Sequence, residues 1–288
     1  MPALLRIGEL ARRTGVSTDL LRAWERRYSL LRPTRTEGGF RLYDGDDVRR
    51  VEAMRDHLRQ GLAAAEAARL ALADPAGGAA VGEGAAAALV DRLEQFDDAG
   101  AHALLDALLA SLTLETVLRD AVLPALATIG ERWGRGEATI AQEHFGSTLL
   151  RGRLLGLARR WGAGTGPRAL LACAPDELHD LGLIAFGLAL RGEGWRITYL
   201  GPDTPIETLA DAASALDADL VVVAATQPER VDTVRVGLAA LASRRRIVLA
   251  GPGATAEAAA EIGAEHLVGD PVAAAEAIAG RSRVALSG

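Results

Sequence analysis

The fold of the N-terminal part of the chain is decided by the stretch IGELARRTGVSTDLLRAWERRY, residues 7–28. Apolar residues recur at helical spacing on both sides of Gly15, and a glycine at that position supplies a turn. Ser17 or Thr18 can cap the second of the two segments. The stretch therefore predicts a helix, a short turn and a second helix.

The residues that follow complete this unit. Residues 35–43, RTEGGFRLY, are typical of a tight hairpin with glycines at its tip. Residues 44–47 can cap a third helix, and residues 63–72 predict a fourth, short helix. We expect Trp24 and Tyr28 of the second helix to lie in the core of the unit, because they share a face away from its basic residues.

The charge of the chain is unevenly distributed. Residues 1–60 contain 13 Arg against nine Asp and Glu, a balance of +4, whereas the whole chain carries −6 and the remainder therefore −10. A basic N-terminal unit indicates a polyanionic partner at that end only. In a winged helix-turn-helix, the second helix enters the major groove of DNA and the wing contacts phosphates. The side chains that we expect on DNA are those of Thr18, Arg22, Arg26, Arg35, Arg41 and Tyr43. The alternative is a surface-charged helical domain without a role in DNA binding.

The middle of the chain has a different composition. Residues 74–84 are dense in Gly and Ala and show no periodicity, which indicates a linker between residues 1–73 and the rest. Helical patterns fill residues 85–163, with breaks near residues 97–100 and 134–139. These segments favour a central four-helix bundle.

Beyond residue 166, short apolar runs alternate with helical segments. The runs are residues 169–174, 197–200, 220–225, 247–250 and 266–269. Such alternation predicts a Rossmann-like domain of the flavodoxin type over residues 167–288, with five parallel strands covered by helices. The predicted fold class is thus α plus α/β in several domains.

The N-terminal unit resembles the MerR family of transcription regulators over about 70 residues. The resemblance rests on RIGELA at residues 6–11, LRAWERRY at residues 21–28 and RTxGGFRLY at residues 35–43. The form WERRY, in place of the more usual YYER, is typical of the branch that carries a cobalamin-binding sensor. The resemblance implies that the unit binds double-stranded operator DNA.

A chemically distinctive loop follows the first predicted strand of the sheet, where residues 174–182 read APDELHDLG. Ligands of parallel sheets bind at the carboxyl ends of the strands. His179 could coordinate a metal there through one ring nitrogen while Glu177 holds the other. Taken alone, the pair also fits a helix cap beside a surface histidine.

The pattern Glu177-x-His179-x-x-Gly182 resembles the Asp/Glu-x-His-x-x-Gly signature of cobalamin-binding domains. The resemblance implies that His179 is the lower axial ligand of cobalt. It also implies that the nucleotide tail of the cofactor enters the edge of the sheet.

Two later elements of the family signature are matched only in part by this sequence. Ala224 and Thr226 stand where the family has Ser-x-Leu, and Gly251 and Gly253 stand near its Gly-Gly. Because Ala224 lacks the serine hydroxyl, we expect the hydrogen-bond relay beyond Glu177 to be shortened. The small residues Ala224, Gly251 and Gly253 suit a slot for a bulky nucleotide.

The predicted bundle carries a second motif. Thr139-x-x-Gln142 is typical of a capping box at the start of a helix. Trp133, followed by nine residues and then Glu143 and His144, resembles CarH/LitR-type light-sensing repressors, in which these groups surround the upper adenosyl ligand of cobalamin. In well-described members a histidine directly follows the tryptophan, at the position of Gly134, and His144 is the nearest bundle histidine that could substitute. The alternative places Trp133 in the bundle core and Glu143-His144 on a solvated face.

The resemblance implies a transcription repressor rather than an enzyme. Adenosylcobalamin would stabilise a DNA-binding homo-oligomer, a dimer or tetramer, in the dark, and light would release the DNA. Two alternatives stay open: a regulator that senses cobalamin or another small ligand without light, and a corrinoid methyl carrier. A methyl carrier has no need of a DNA-binding domain, which disfavours the second alternative. Since no signal peptide and no apolar run of about 18 to 20 residues is present, we expect a cytoplasmic protein without membrane contact.

Overall fold

The computed structural model of the protein describes residues 5–35, 40–59, 62–73 and 77–285. The chain divides into two compact units. The first consists of Met1–Gly84 with Ala107–Thr113, and the second of Ala85–Asp106 with Leu114–Gly288. Within the described ranges, no helix is long and apolar enough to cross a membrane.

The first unit contains the predicted helix-turn-helix and hairpin. Its elements are α1 Ile7–Thr14, α2 Thr18–Tyr28, β1 Thr34–Arg35, β2 Arg41–Leu42, α3 Gly45–Arg59 and α4 Ala64–Ala73. Gly15 takes a left-handed backbone conformation between α1 and α2, with φ of 66°, and the Ser17 hydroxyl caps α2 by accepting from the Leu20 N–H at 3.3 Å. The strands pair antiparallel. The predicted glycine tip, residues 36–39, lies outside the described residues.

The core of this unit gathers apolar side chains from all four helices. Trp24 is buried in it and Tyr28 packs against it, so the prediction for these two residues is confirmed. A buried ion pair between Asp47 and Arg50 adds polar anchoring, since Asp47 also accepts from the Arg32 N–H at 2.8 Å and Arg50 donates to the Leu30 carbonyl at 2.8 Å.

Residues 77–84, the larger part of the predicted linker, are helical in the structure and begin helix α5, Gly77–Glu94. Residues 74–76 lie outside the described residues. Alanine favours the helix, and the C-terminal half of α5 is anchored by the buried side chains of Leu89, Val90 and Leu93. A packed helix extends at little cost once it is nucleated, and this outweighs the unfavourable glycines.

The predicted four-helix bundle follows, and all of it except residues 77–84 and 107–111 belongs to the second unit. Its helices after α5 are α6 Asp98–Ser111, α7 Leu114–Val117 continued through a π-helical turn Leu118–Val122 into α8 Leu123–Gly134, and α9 Ile140–Leu157. Helices α8 and α9 pack closely, because a Cβ on Gly146 of α9 would meet Ile129 of α8 at 3.3 Å. The breaks predicted near residues 97–100 and 134–139 separate helices in the structure.

A five-stranded parallel sheet follows. Its elements are β3 Arg168–Cys173, α10 Leu181–Gly192, β4 Arg196–Gly201, α11 Ile206–Ala215, β5 Leu220–Ala224, α12 Pro228–Thr233, α13 Arg235–Ala242, β6 Ile247–Ala250, α14 Ala256–Ile262, β7 Glu265–His266 and α15 Pro271–Ala285. The strand order is β4-β3-β5-β6-β7, which is the predicted flavodoxin-type order. Helix α9 of the bundle packs against α10.

Candidate functional site

Helix α2 presents basic side chains to solvent. Arg22 and Arg26 are exposed, and Thr18 in the first turn is half-buried. These three residues are spaced four apart and therefore lie along one face of the helix. Arg27 is also exposed, and its guanidinium lies 5.6 Å from the ring centre of Tyr28. The helix thus offers a positively charged face suited to phosphate oxygens and base edges.

The structure corrects the prediction that Tyr43 contacts DNA. The ring of Tyr43 is buried, and its hydroxyl donates to Glu25 Oε2 at 2.9 Å. Burial and the neighbouring Glu25 both raise the pKa of Tyr43. Arg41 is exposed and donates to the other oxygen of Glu25 at 2.9 Å. Glu25, which sequence reasoning missed, therefore joins α2 to the wing. The backbone of Arg35 lies in β1, and its side chain is outside the described residues.

The loop that carries His179 joins β3 to α10 at the carboxyl edge of the sheet. The Asp176 N–H donates to Asp203 Oδ1, and the Asp203 N–H donates to the Glu177 carbonyl, both at 2.9 Å. Asp176 has a positive φ of 63°, which turns the loop sharply. These bonds fix the loop to the segment after β4, as a precise ligand site requires.

Glu177 is fully buried and holds His179 through one carboxylate oxygen. Its Oε1 accepts from the His179 N–H at 2.9 Å and lies 2.7 Å from His179 Nδ1. The His179 side chain is 70% exposed, so its Nε2 is the ring nitrogen that can reach a ligand outside the protein. A histidine oriented in this way through Nδ1 has the arrangement of a metal ligand with a carboxylate partner.

The second oxygen of Glu177 is held by Thr226. Glu177 Oε2 accepts from the Thr226 N–H at 2.6 Å and from the Thr226 hydroxyl at 2.5 Å. Burial by itself would raise the pKa of Glu177, but the hydrogen bonds from Thr226 and His179 outweigh it and lower the pKa to about 2. The expectation of a shortened relay therefore needs correction. A threonine two positions beyond Ala224 supplies the hydroxyl that alanine lacks.

The glycines after β6 bring two loops into close contact. A Cβ on Gly251 would meet the Ala225 carbonyl oxygen at 2.4 Å, and a Cβ on Gly253 would meet the Gln227 backbone at 2.5 Å. These glycines allow the two loops to approach backbone to backbone. Ala224 is buried at the end of β5. Gly182 is exposed in the first turn of α10, where an added Cβ would make only an ordinary contact with Pro271.

A polar network connects the His179 loop to the bundle. Asp180 is buried, and its Oδ2 accepts from Arg151 Nε of α9 at 2.7 Å and from the Tyr199 hydroxyl of β4. Burial and Asp180 raise the pKa of Tyr199. None of these three residues was singled out by sequence reasoning. Because Asp180 directly follows His179, the network ties the orientation of this loop to helix α9.

The predicted bundle residues lie where α8 ends and α9 begins. Thr139 and Gln142 form the predicted capping box, with both of its hydrogen bonds present. Trp133 is 51% exposed, which excludes the alternative that it belongs to the bundle core. His144 is exposed, and its Nε2 lies 3.6 Å from Glu143 Oε2.

The donor set at the loop fits a metal that arrives with ligands of its own. Among the described residues, no group of three or more His, Cys, Asp and Glu could hold a metal ion. His179 offers a single exposed nitrogen with a fixed partner. One axial imidazole is the contribution that a metal already bound by a macrocycle needs, and the cobalt of a corrinoid is such a metal.

Three family models match the chain in succession. The model for "MerR HTH family regulatory protein" matches residues 5–73. Two models described as "B12 binding domain" match residues 85–155 and 167–279. The two halves of the second unit thus match domains that bind cobalamin.

Two curated relatives match across most of the chain. The HTH-type transcriptional repressor CarH of Myxococcus xanthus is 35% identical over 229 residues, which cover 75% of this chain and 77% of CarH. The HTH-type transcriptional repressor CarA of the same organism is 33% identical over 236 residues, which cover 80% of each chain. The monomethylamine corrinoid protein of Methanosarcina barkeri shares the fold, with a TM-score of 0.56 at 18% identity over 67% of this chain and 96% of that one.

The fold, the loop and these matches define a DNA-binding regulator with a sensor of the B12-binding type. The chain belongs to the family of MerR-type transcriptional repressors that includes CarH and CarA.

Proposed function

We propose that the protein is a light-responsive transcription repressor that uses adenosylcobalamin. In the dark, the loaded protein forms an oligomer that binds operator DNA through α2 and the wing. Light then weakens the oligomer, and the DNA is released. When bound, adenosylcobalamin supplies a cobalt–carbon bond that visible light breaks.

The observation that carries the proposal is the orientation of His179. Its Nδ1 lies 2.7 Å from the buried Glu177, while its side chain is 70% exposed at the carboxyl edge of the sheet. This arrangement supports His179 as the residue that would bind cobalt, through Nε2. The low pKa of Glu177 keeps the carboxylate charged at any physiological pH, and a charged carboxylate accepts a hydrogen bond from Nδ1–H.

Helix α9 could transmit a change at the bundle residues near His144 to the loop that carries His179. His144 and Arg151 are seven residues apart on α9 and therefore share a face of the helix. Arg151 contacts Asp180, the neighbour of His179. We therefore place Trp133, Glu143 and His144 around the upper ligand. Loss of that ligand would remove their contacts and favour a different packing of the bundle.

A change of oligomeric state is enough to control DNA binding. Heads linked in one oligomer bind tandem sites far more tightly than a single head does, because the second contact becomes intramolecular. The exposed basic face of α2 supports phosphate and base contacts by each head. The sensor would thus control the affinity for DNA by changing the number of DNA-binding units that are linked in one oligomer.

The proposal is tested on the full-length protein loaded with adenosylcobalamin. A duplex that binds the loaded protein is first selected in the dark from a random library. Size-exclusion chromatography with light scattering then gives the mass, and fluorescence anisotropy gives the affinity, in the dark and after green illumination. We expect a lower mass and an affinity at least about tenfold weaker after illumination.

Three outcomes would contradict parts of the proposal. Equal mass and affinity before and after illumination would exclude the light switch and favour a sensor that responds to cobalamin itself. If no corrinoid stays bound after incubation with excess adenosylcobalamin, the cobalamin site is excluded. An absorbance spectrum of the bound corrinoid that His179→Ala leaves unchanged, like that of the control His102→Ala at a half-buried histidine of α6, would exclude cobalt binding by His179.

A further inference from the structure

Arg230 on α12 lies beside the Glu177 carboxylate with unused hydrogen-bond donors. Its side chain is 22% exposed, and its Nε is 3.5 Å from Glu177 Oε2. Within the described part of the chain, Nε and Nη1 of Arg230 are buried and have no hydrogen-bond partner. Donors of a buried charged group that stay unpaired are costly, so a guanidinium in this state indicates an absent acceptor.

A role in supporting the Glu177 carboxylate does not explain why Arg230 has unpaired hydrogen-bond donors. Both oxygens of Glu177 already accept two hydrogen bonds each, from His179 and from Thr226. The Arg230 guanidinium therefore adds charge near the carboxylate without being its hydrogen-bond donor. A guanidinium with unpaired N–H groups is suited to the oxygens of an anion, as in pairs of arginine with phosphate.

We infer that Arg230 binds the phosphodiester in the nucleotide tail of cobalamin, an inference that rests on the proposed function. The phosphodiester is the anionic group of that molecule, since the side chains of the corrin ring are neutral amides. A tail displaced from cobalt by His179 must pass close to the loop that carries His179, and Arg230 lies beside that loop. The unpaired donors would then gain an acceptor only when a corrinoid that carries the phosphate is bound.

The test uses three corrinoids with the same upper ligand. These are adenosylcobalamin, adenosylcobinamide phosphate, which keeps a phosphate but lacks the base, and adenosylcobinamide, which lacks both. Dissociation constants are measured in the dark by absorbance titration of the full-length protein. The variants are Arg230→Met, Arg230→Lys and the control Arg235→Met, an arginine of α13 that pairs with Asp232 and Glu261.

We expect Arg230→Met to weaken adenosylcobalamin and adenosylcobinamide phosphate by at least about tenfold, the size of a charge-assisted contact, and adenosylcobinamide by less than about twofold. Arg230→Lys should fall in between, and it replaces the Met variant in the test if that variant does not fold. Arg235→Met should match the wild type with all three corrinoids.

Two results would overturn the inference. Equal weakening of all three corrinoids would mean that Arg230 acts through Glu177 and His179 rather than on the tail. Unchanged binding of all three would mean that Arg230 does not reach the ligand. Failure of the proposed function gives a different result, since the wild-type protein would then bind none of the corrinoids.

Discussion

Replacing Glu177 by glutamine should destabilise the second unit and remove a defined part of its pH dependence. The carboxylate accepts from two donors at each oxygen, namely from His179 at Oε1 and from Thr226 at Oε2. In Glu177→Gln one oxygen becomes an NH₂ group, which cannot accept. Whichever way the amide turns, its NH₂ faces a backbone N–H, that of His179 or of Thr226, in a buried site, and the second group at that position must change tautomer or rotate to accept.

Two estimates of the cost agree. Hydrogen bonds to a charged group contribute about 1.5–3 kcal/mol each, and the loss of two of them, relieved in part by adjustment of Thr226, gives about 3 to 5 kcal/mol. The pKa leads to a similar figure. A carboxyl whose pKa falls on folding from its ordinary 4.5 to about 2 contributes on the order of 3 kcal/mol at neutral pH.

The sign of the pH effect follows from the lowered pKa. The contribution of Glu177 is fully present above about pH 4.5 and is lost as the pH falls towards 2. The stability difference between the wild-type protein and Glu177→Gln should therefore be constant from pH 7 to about 5 and shrink below that. Urea unfolding is followed by hydrogen exchange of peptides from β3 and β5, which report on the second unit. Glu229→Gln, at an exposed carboxylate of α12, is the matched control. A Glu177→Gln protein as stable as the control at pH 7, with an unchanged pH profile, would show that the hydrogen bonds to the Glu177 carboxylate do not stabilise the second unit.

Three further predictions concern the DNA-binding first unit and the contact between helix α9 and the His179 loop. Arg26→Ala should weaken operator binding and reduce the slope of log affinity against log salt by about one, as expected for one lost phosphate contact, and an unchanged slope in anisotropy titrations would contradict this. Tyr43→Phe should lower the free energy of unfolding of the first unit by about 2 kcal/mol, because it removes the hydroxyl that donates to Glu25, and should leave the salt slope unchanged; a reduced slope would instead place Tyr43 on the DNA. Arg151→Met should keep corrinoid affinity within about threefold but abolish the dark oligomer in size-exclusion chromatography, because Asp180 loses its bond to α9; an intact dark oligomer would show that this link does not transmit the signal.

Much of the fold could be predicted because its local signals agree with its packing. The apolar runs of the sheet agree with the observed strands to within three residues at their ends, and the Thr139 capping box is formed as predicted. The segment between β5 and β6 forms two helices rather than one, because the backbone at Val234 leaves helical geometry. Periodicity and caps are local properties, which makes them readable from sequence.

The features that could not be predicted depend on contacts between distant residues. Residues 77–84 look like a linker by composition, and they are helical because the rest of α5 is packed. Tyr43 lies next to exposed wing residues in sequence, but its backbone pairs with Leu5 and its ring turns into the core. Thr226 is 49 residues from Glu177 in the chain, so only the parallel register of β3 and β5 reveals that its hydroxyl meets the carboxylate.

The central claim is that His179 binds the cobalt of cobalamin. Its most direct test is electron paramagnetic resonance of the cob(II)alamin-loaded protein, in which all histidines are labelled with ¹⁵N. Coordination by His179 predicts that the triplet splitting from an axial ¹⁴N becomes a doublet, and that His179→Ala loses the doublet while His102→Ala keeps it. A ¹⁴N triplet that persists in the labelled protein would show that the nucleotide base is still the axial ligand and that His179 does not bind the cobalt.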